Sequence, residues 1–123
     1  MTNRRESQVL AGVLAYLETR GDFMFWRQNT SAGYAPSGQF MRSNMRGVAD
    51  IVGVLAPTGR FIAIEAKREV GGRSSEDQVR FQKNVEAHGG LYVLANGIQS
   101  VVDALGEPTV RVQKERKTRV IPR

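Results

Sequence analysis

The chain has 123 residues, no cysteine, 41% hydrophobic residues and a formal net charge of +6, with a pI of about 10.3. That length buries one core. The lack of cysteine excludes a disulfide framework and a thiolate metal site, and no apolar run approaches the ~20 residues of a membrane span. The polar start MTNRRESQVL lacks the apolar stretch of a signal peptide. The expectation is a soluble, cytoplasmic protein without a membrane partner, basic enough to meet nucleic acid through displaced counterions.

In chain order, Val9, Leu10, Val13, Leu14 and Leu17 make one stripe at helical spacing and predict a helix over residues 5–19, stopped by Gly21. Phe23 to Gln28 reads as a short aromatic strand. Residues 29–47 read as a long loop, with a short strand near Gln39 to Arg42. Two strands follow, Val48 to Leu55 and Arg60 to Lys67, joined by Ala56-Pro57-Thr58-Gly59. Ser75 with Gln78 forms a capping box that opens a second helix. Its Phe81 and Val85 face the core, and Gly89-Gly90 end it. Leu91 to Ala95 has the continuous apolar character of a buried strand, and a third helix covers roughly Ile98 to Leu105. The strand–helix–strand order from 60 to 95 predicts a right-handed crossover and a parallel pair. The fold class is α/β: a mixed sheet flanked by helices.

Charge is unevenly placed. No acidic residue lies between Asp22 and Asp50, while Arg27, Arg42 and Arg46 do. The C-terminal stretch RVQKERKTRVIPR carries six basic residues against Glu115. Basic segments flanking a carboxylate cluster suit an enzyme that binds a polyanion and cuts it. Residues 1–106 form one domain in this reading, and 107–123 a basic C-terminal tail.

The hairpin carries the chemistry. With a two- or four-residue turn, opposed residues sum to 115, so Leu55 faces Arg60, Val54 Phe61, Val52 Ala63, and Asp50 faces Glu65. Side chains alternate, which puts Asp50, Glu65 and Lys67 on one face and Ile51, Leu55, Ile62 and Ile64 on the core face. Opposed residues have Cβ atoms about 4.5–5.5 Å apart, where like charges repel. Such a pair needs a proton or a cation between them, and two carboxylates suit Mg²⁺. Lys67, two residues past Glu65, is placed to stabilise charge on a phosphate. The plainer alternative is the charged end of an edge strand, with Glu65 and Lys67 a surface pair of little worth; a three- or five-residue turn would also break the register.

Other residues carry alternatives. Glu6 extends the buried stripe of the first helix and points an acid toward the site, unless it serves as a capping-box partner of Asn3. Gln78 either hangs over the site or caps its own helix. His88, in the last turn of the second helix, is expected to cap a carbonyl or to favour the helix dipole. Phe25 and Trp26 are expected in the core rather than as base-stacking platforms. Arg27 at the end of the first strand either binds phosphate or is simply a surface charge, and the charged loop of Arg68, Glu69 and Arg73 around Gly71-Gly72 is placed to meet DNA.

The G-V-A-D then E-A-K pattern, fourteen residues apart, resembles the motif of the PD-(D/E)xK nuclease superfamily, with Ala49 at the usual proline position. More narrowly, E-S-Q, W-R-Q-N, R-G-V-A-D-I-V-G, F-I-A-I-E-A-K, S-S-E-D-Q-V-R-F and H-G-G-L-Y-V-L-A resemble the virus-type replication-repair nuclease (VRR-NUC) domain in its small, stand-alone viral or bacterial form, over about residues 4–105. The resemblance implies a restriction-endonuclease-like core and a Mg²⁺- or Mn²⁺-dependent deoxyribonuclease. It implies Asp50, Glu65, Glu6 and the backbone carbonyl of Ala66 as metal ligands, Lys67 as the catalytic lysine, and Gln78 as a site residue. It further implies a homodimer acting on branched DNA, similar to Holliday-junction resolvases, with a role in DNA repair and Arg27, Arg42, Arg46, Arg68 and Arg73 as DNA contacts. Two other readings stand beside it: a DNA-binding module that keeps the fold without cutting, and a duplex-specific, restriction-type endonuclease.

Overall fold

The computed structural model describes residues 3–28, 33–34, 40–41 and 45–108. Arg42 and nearly all of the basic tail, 109–123, lie outside the described residues. The elements are α1 (Glu6–Thr19), β1 (Phe23–Arg27), β2 (Gly33–Tyr34), β3 (Phe40–Met41), β4 (Ile51–Leu55), β5 (Arg60–Ala66), α2 (Glu76–Ala87), β6 (Leu91–Ala95) and α3 (Ile98–Leu105). Short β2 and β3 pair with each other; the other strands form one sheet in the order β1-β4-β5-β6. β1–β4 and β4–β5 are antiparallel, and β5–β6 is parallel. The architecture is thus α/β with a mixed sheet. Among the described residues no helix is long and apolar enough to cross a membrane.

Strand periodicity divides the core in two. Ile51, Ile62, Ile64, Val93 and Ala95 point to one face and meet Val9, Leu10, Val13 and Leu17 of α1 and Val101 of α3. Val52, Ala63 and Tyr92 point to the other face and meet Phe81 and Val85 of α2. A sheet buried on both sides this way is apolar on successive residues, as at Ile62-Ala63-Ile64 and Tyr92-Val93, while Phe61 and Leu94 in the same runs are exposed.

The register follows the four-residue turn: Leu55 pairs with Arg60, Val54 with Phe61, Val52 with Ala63 and Ile51 with Ile64. β4 begins at Ile51 rather than Val48. At Asp50 the ladder to β5 gives way to a side-chain bond, because Asp50 Oδ2 accepts the Ala66 N–H at 2.9 Å. Both hairpin strands lie inside the sheet, so the plainer alternative of a charged edge-strand end is set aside.

Trp26 corrects an expectation. Phe25 packs against the core and stacks on Phe23, with ring centroids 5.4 Å apart. Trp26 projects from the opposite side of β1 and is 48% exposed. An edge strand has only one face against the α1/α3 layer, and α2 covers the far side of the sheet near β6 rather than β1.

Asp22 and Arg20 form a knot that charge patterning does not reveal. The guanidinium binds the carboxylate twice, at 2.9 and 2.8 Å, and also donates to the Tyr16 hydroxyl at 3.0 Å and the Gly106 carbonyl at 2.6 Å. Both residues are buried, and the guanidinium holds the Asp22 carboxyl below its ordinary value. The knot ties the end of α1, the start of β1 and the end of α3. Because removing one partner strands a buried charge, we expect Asp22→Ala to cost about 3–5 kcal/mol. Urea unfolding checks this; a loss under about 1 kcal/mol would mean the pair is solvated like a surface bridge.

Candidate metal centre

The site sits where β4 begins and β5 ends. Glu65 stands on an interior strand and is 2% exposed. Asp50 is held by the Ala66 N–H and, through its own carbonyl, by the Gln28 N–H at 2.7 Å. Glu6 comes from the first turn of α1 and reaches round the end of the sheet. One carboxylate oxygen from each of Glu6, Asp50 and Glu65 lies within 4.8 Å of the other two.

Glu6 reaches the site because the segment before α1 is stitched to the chain after β5. Glu69 N–H donates to the Arg4 carbonyl at 2.9 Å, and Arg4 N–H to Glu69 Oε2 at 3.1 Å. Asn3 makes a matching pair with Val70: Asn3 Oδ1 accepts the Val70 N–H at 2.9 Å, and Asn3 Nδ2 donates to the Val70 carbonyl at 3.3 Å. Asn3 is therefore not the N-cap of α1. Arg5 takes that position, and Gln8 Oε1 closes it by accepting the Arg5 N–H at 2.9 Å. This frees Glu6 from capping and leaves its carboxylate for the cluster.

Lys67 Nζ lies 3.9 Å from Glu65 Oε2 and donates to Gln78 Oε1 at 2.8 Å. The same Gln78 oxygen accepts the Ser75 N–H at 2.9 Å, while Ser75 Oγ accepts the Gln78 N–H at 3.2 Å. The two readings of Gln78 thus hold together: it caps α2 and orients the lysine. Gly47 sets the entry to Asp50. Its φ is 73°, and a Cβ there would collide with the Asp77 carbonyl at the start of α2. Only glycine permits both the left-handed backbone and this approach.

Burial, and then the charge of Asp50, push the Glu65 carboxyl from an ordinary value of 4.5 up to about 8; Glu6 adds to this and Lys67 opposes it. Three carboxylates brought together in a partly dry site suit a hard divalent cation. An extended residue turns its N–H and C=O toward the same neighbour. The Ala66 carbonyl therefore faces the β4 side, as its N–H does toward Asp50. The donor set is all oxygen, as Mg²⁺ or Mn²⁺ requires.

Tyr92 is a residue that pattern reading passed over. It lies on β6 opposite Ala63, on the face shared with Glu65. Its ring meets Phe81 edge-on at 6.2 Å, and its hydroxyl is buried without a hydrogen-bond partner among the described residues. Burial and the charges of Glu65 and Asp50 push the phenol up. The only sequence signal was one polar atom within the apolar run L-Y-V-L-A.

The remaining predicted residues spread around this centre. Arg27 and Arg46 are exposed, as are Arg68 and Arg73. Arg68 Nη2 donates to the Gly71 carbonyl at 2.9 Å within its own loop. A polar pocket beside Lys67 is lined by Arg68, Glu69, Gly71, Gly72 and Asn96. A larger, more apolar cleft around Leu17, Met24, Leu55 and Pro57 lies at the other end of the hairpin, away from the carboxylates. His88 Nδ1 lies 2.7 Å from the Asn84 carbonyl, the capping role expected of it. No protein-family model, no curated protein and no solved structure matches this chain.

Two outcomes follow from the site's electrostatics. In chelator, the folded protein keeps a proton on Glu65 that the unfolded chain releases above about pH 4.5, so stability falls as pH rises from there to about 8. Glu65→Gln removes that proton exchange and flattens the slope; thermal unfolding across the window checks it, and equal slopes in both proteins would contradict it. Tyr92→Phe removes an unpaired buried hydroxyl. Without metal it should be neutral or stabilising by up to about 1 kcal/mol, and a loss of more than that in urea unfolding would reveal a hydrogen bond to Tyr92.

Proposed function

We propose that this chain is a Mg²⁺- or Mn²⁺-dependent DNA endonuclease of the PD-(D/E)xK type, similar to the small stand-alone VRR-NUC domain. The observation that carries the reading is the convergence of Glu6, Asp50 and Glu65 within 4.8 Å, with the Lys67 ammonium 3.9 Å from Glu65. A structural salt bridge needs one carboxylate; three converging carboxylates with one lysine beside Glu65 leave net negative charge that a cation would balance. The motif resemblance supplies the reaction class, and the donor chemistry supplies an independent reason for the metal.

In this reading Glu6, Asp50, Glu65 and the Ala66 carbonyl hold the cation, which when bound polarises the scissile phosphate and lowers the pKa of water. Asp50 keeps its orientation through the Ala66 N–H. Lys67 offsets negative charge that gathers on the phosphate as water attacks and the bond to the leaving oxygen breaks. Gln78 holds the lysine against α2, so the ammonium does not collapse onto Glu65. Arg27, Arg46, Arg68 and Arg73 meet phosphates flanking the cut, with Arg42 and the basic tail as further contacts. Branched DNA as substrate, and a homodimer presenting two such sites, follow from the resemblance to junction resolvases and belong to the proposal.

Cleavage of labelled four-way junction, linear duplex and single strand tests this, with Mg²⁺, Mn²⁺ or EDTA. We expect cutting that EDTA abolishes, and Lys67→Ala and Asp50→Asn to lower the rate by about 10²–10³-fold while DNA binding persists. Paired symmetric cuts would identify a dimeric resolvase, and discrete plasmid fragments a restriction-type enzyme. Tight DNA binding without any metal-dependent product would replace the enzyme with a binding module.

A further inference from the structure

We propose that Trp26 is a stacking platform for an unpaired nucleobase next to the scissile phosphate, so that the site prefers DNA whose bases can leave the duplex stack near the cut. This rests on the nuclease reading above and adds the substrate feature that reading leaves open.

The placement comes from the sheet. Trp26 lies directly opposite Val52, and the Gln28 N–H bonds to the Asp50 carbonyl at 2.7 Å, which carries β1 alongside β4 as far as the metal centre. Alternation then puts Trp26 and Gln28 on the face that bears Asp50 and Glu65. A strand separation of about 4.8 Å and a rise of about 3.3 Å per residue place the Trp26 Cα about 8 Å from that of Asp50. A phosphate held at the carboxylates would have its neighbouring base within reach of the indole.

The indole is presented rather than packed. It is 48% exposed, although Phe23 and Phe25 of the same strand are drawn into the core. Its N–H donates to Gln28 Oε1 at 3.2 Å, which satisfies its one polar atom and steadies the ring within its own strand. The ring face is left as apolar surface, the part that stacks on any base regardless of sequence.

Charge favours a nucleic acid strand as the occupant. Arg46 is exposed in the segment that leads to Asp50, whereas Arg27 turns to the other face of β1, and the chain has no acidic residue between Asp22 and Asp50. A second copy docked face to face here would set this acid-free, basic segment of both chains against itself, since an isologous contact repeats each patch against itself. A base on a phosphate backbone meets both the apolar face and its basic surroundings. A paired base inside duplex offers no free face, so the platform favours single strands, flaps and the open centre of a junction.

Trp26 is the single tryptophan in the chain, so its fluorescence reports on this position alone. Full-length Lys67→Ala protein would be titrated with an end-labelled oligothymidine and with an abasic strand of equal length. Label anisotropy gives binding and tryptophan emission gives stacking. We expect quenching by the oligothymidine and none by the abasic strand, which should bind about 5- to 150-fold more weakly. Trp26→Ala, an exposed change, should bind the two strands alike. Equal quenching by both strands, binding of both strands by Trp26→Ala as in its parent, no binding of either strand, or quenching by added protein without DNA would overturn the proposal, the last in favour of self-association. Metal-dependent cutting of the same strands by the unsubstituted chain is read separately. Quenching without cutting would sink the nuclease reading and leave the platform standing.

Discussion

Two carboxylates, Glu65 on an interior strand and Asp50 just before its neighbour, set the terms for everything around them. Asp50 and Glu65 repel each other where water is scarce, and Glu65 answers by holding a proton up to about pH 8. A core strand ending in valine or threonine would avoid this cost. The molecule instead adds a third acid, Glu6, to the same spot, and supplies one ammonium that is itself restrained by Gln78. The third acid adds to the repulsion and Lys67 offsets part of it; a divalent cation, as proposed above, would balance the remainder, and groups perturbed in this way mark candidate functional sites.

The rest of the fold explains how those groups are held. The hairpin is clamped by helices on both faces, so Glu65 has a fixed backbone. The Asn3–Val70 and Arg4–Glu69 bonds bind the start of α1 to the segment after β5, which makes the position of Glu6 a consequence of β5 itself. Gly47 seats the approach to Asp50 against the first turn of α2, and Gln78 in that same turn reaches Lys67. Three elements that are distant in sequence therefore meet at one end of the sheet, while the Arg20–Asp22 knot fastens the other end.

Much of this was legible in the chain. The alternation of Ile51, Ile62 and Ile64 against Val52 and Ala63 shows which face the acids share, and the four-residue turn sets the ladder as far as Ile51–Ile64; Asp50 then leaves it and binds the Ala66 N–H instead of pairing with Glu65. The capping box at Ser75 and Gln78 was readable because it is local. The failures are tertiary. Asn3 looks like an N-cap by spacing, but long-range partners after β5 compete for its amide. Trp26 looks like core by composition, yet it lies on the uncovered side of an edge strand, a fact that depends on where α2 packs. Tyr92 gave almost no signal, because one hydroxyl in an apolar run says nothing about which carboxylates will stand near it.

The function proposed above depends on Glu6, Asp50 and Glu65 holding a divalent cation. Calorimetric titration of the full chain with Mn²⁺ tests it most directly, run in two buffers of different ionisation enthalpy near pH 7. We expect a site lost in Glu65→Gln and weakened in Asp50→Asn, with proton release on binding because Glu65 must ionise. Unchanged Mn²⁺ binding in both variants, or none in the parent protein, would contradict it.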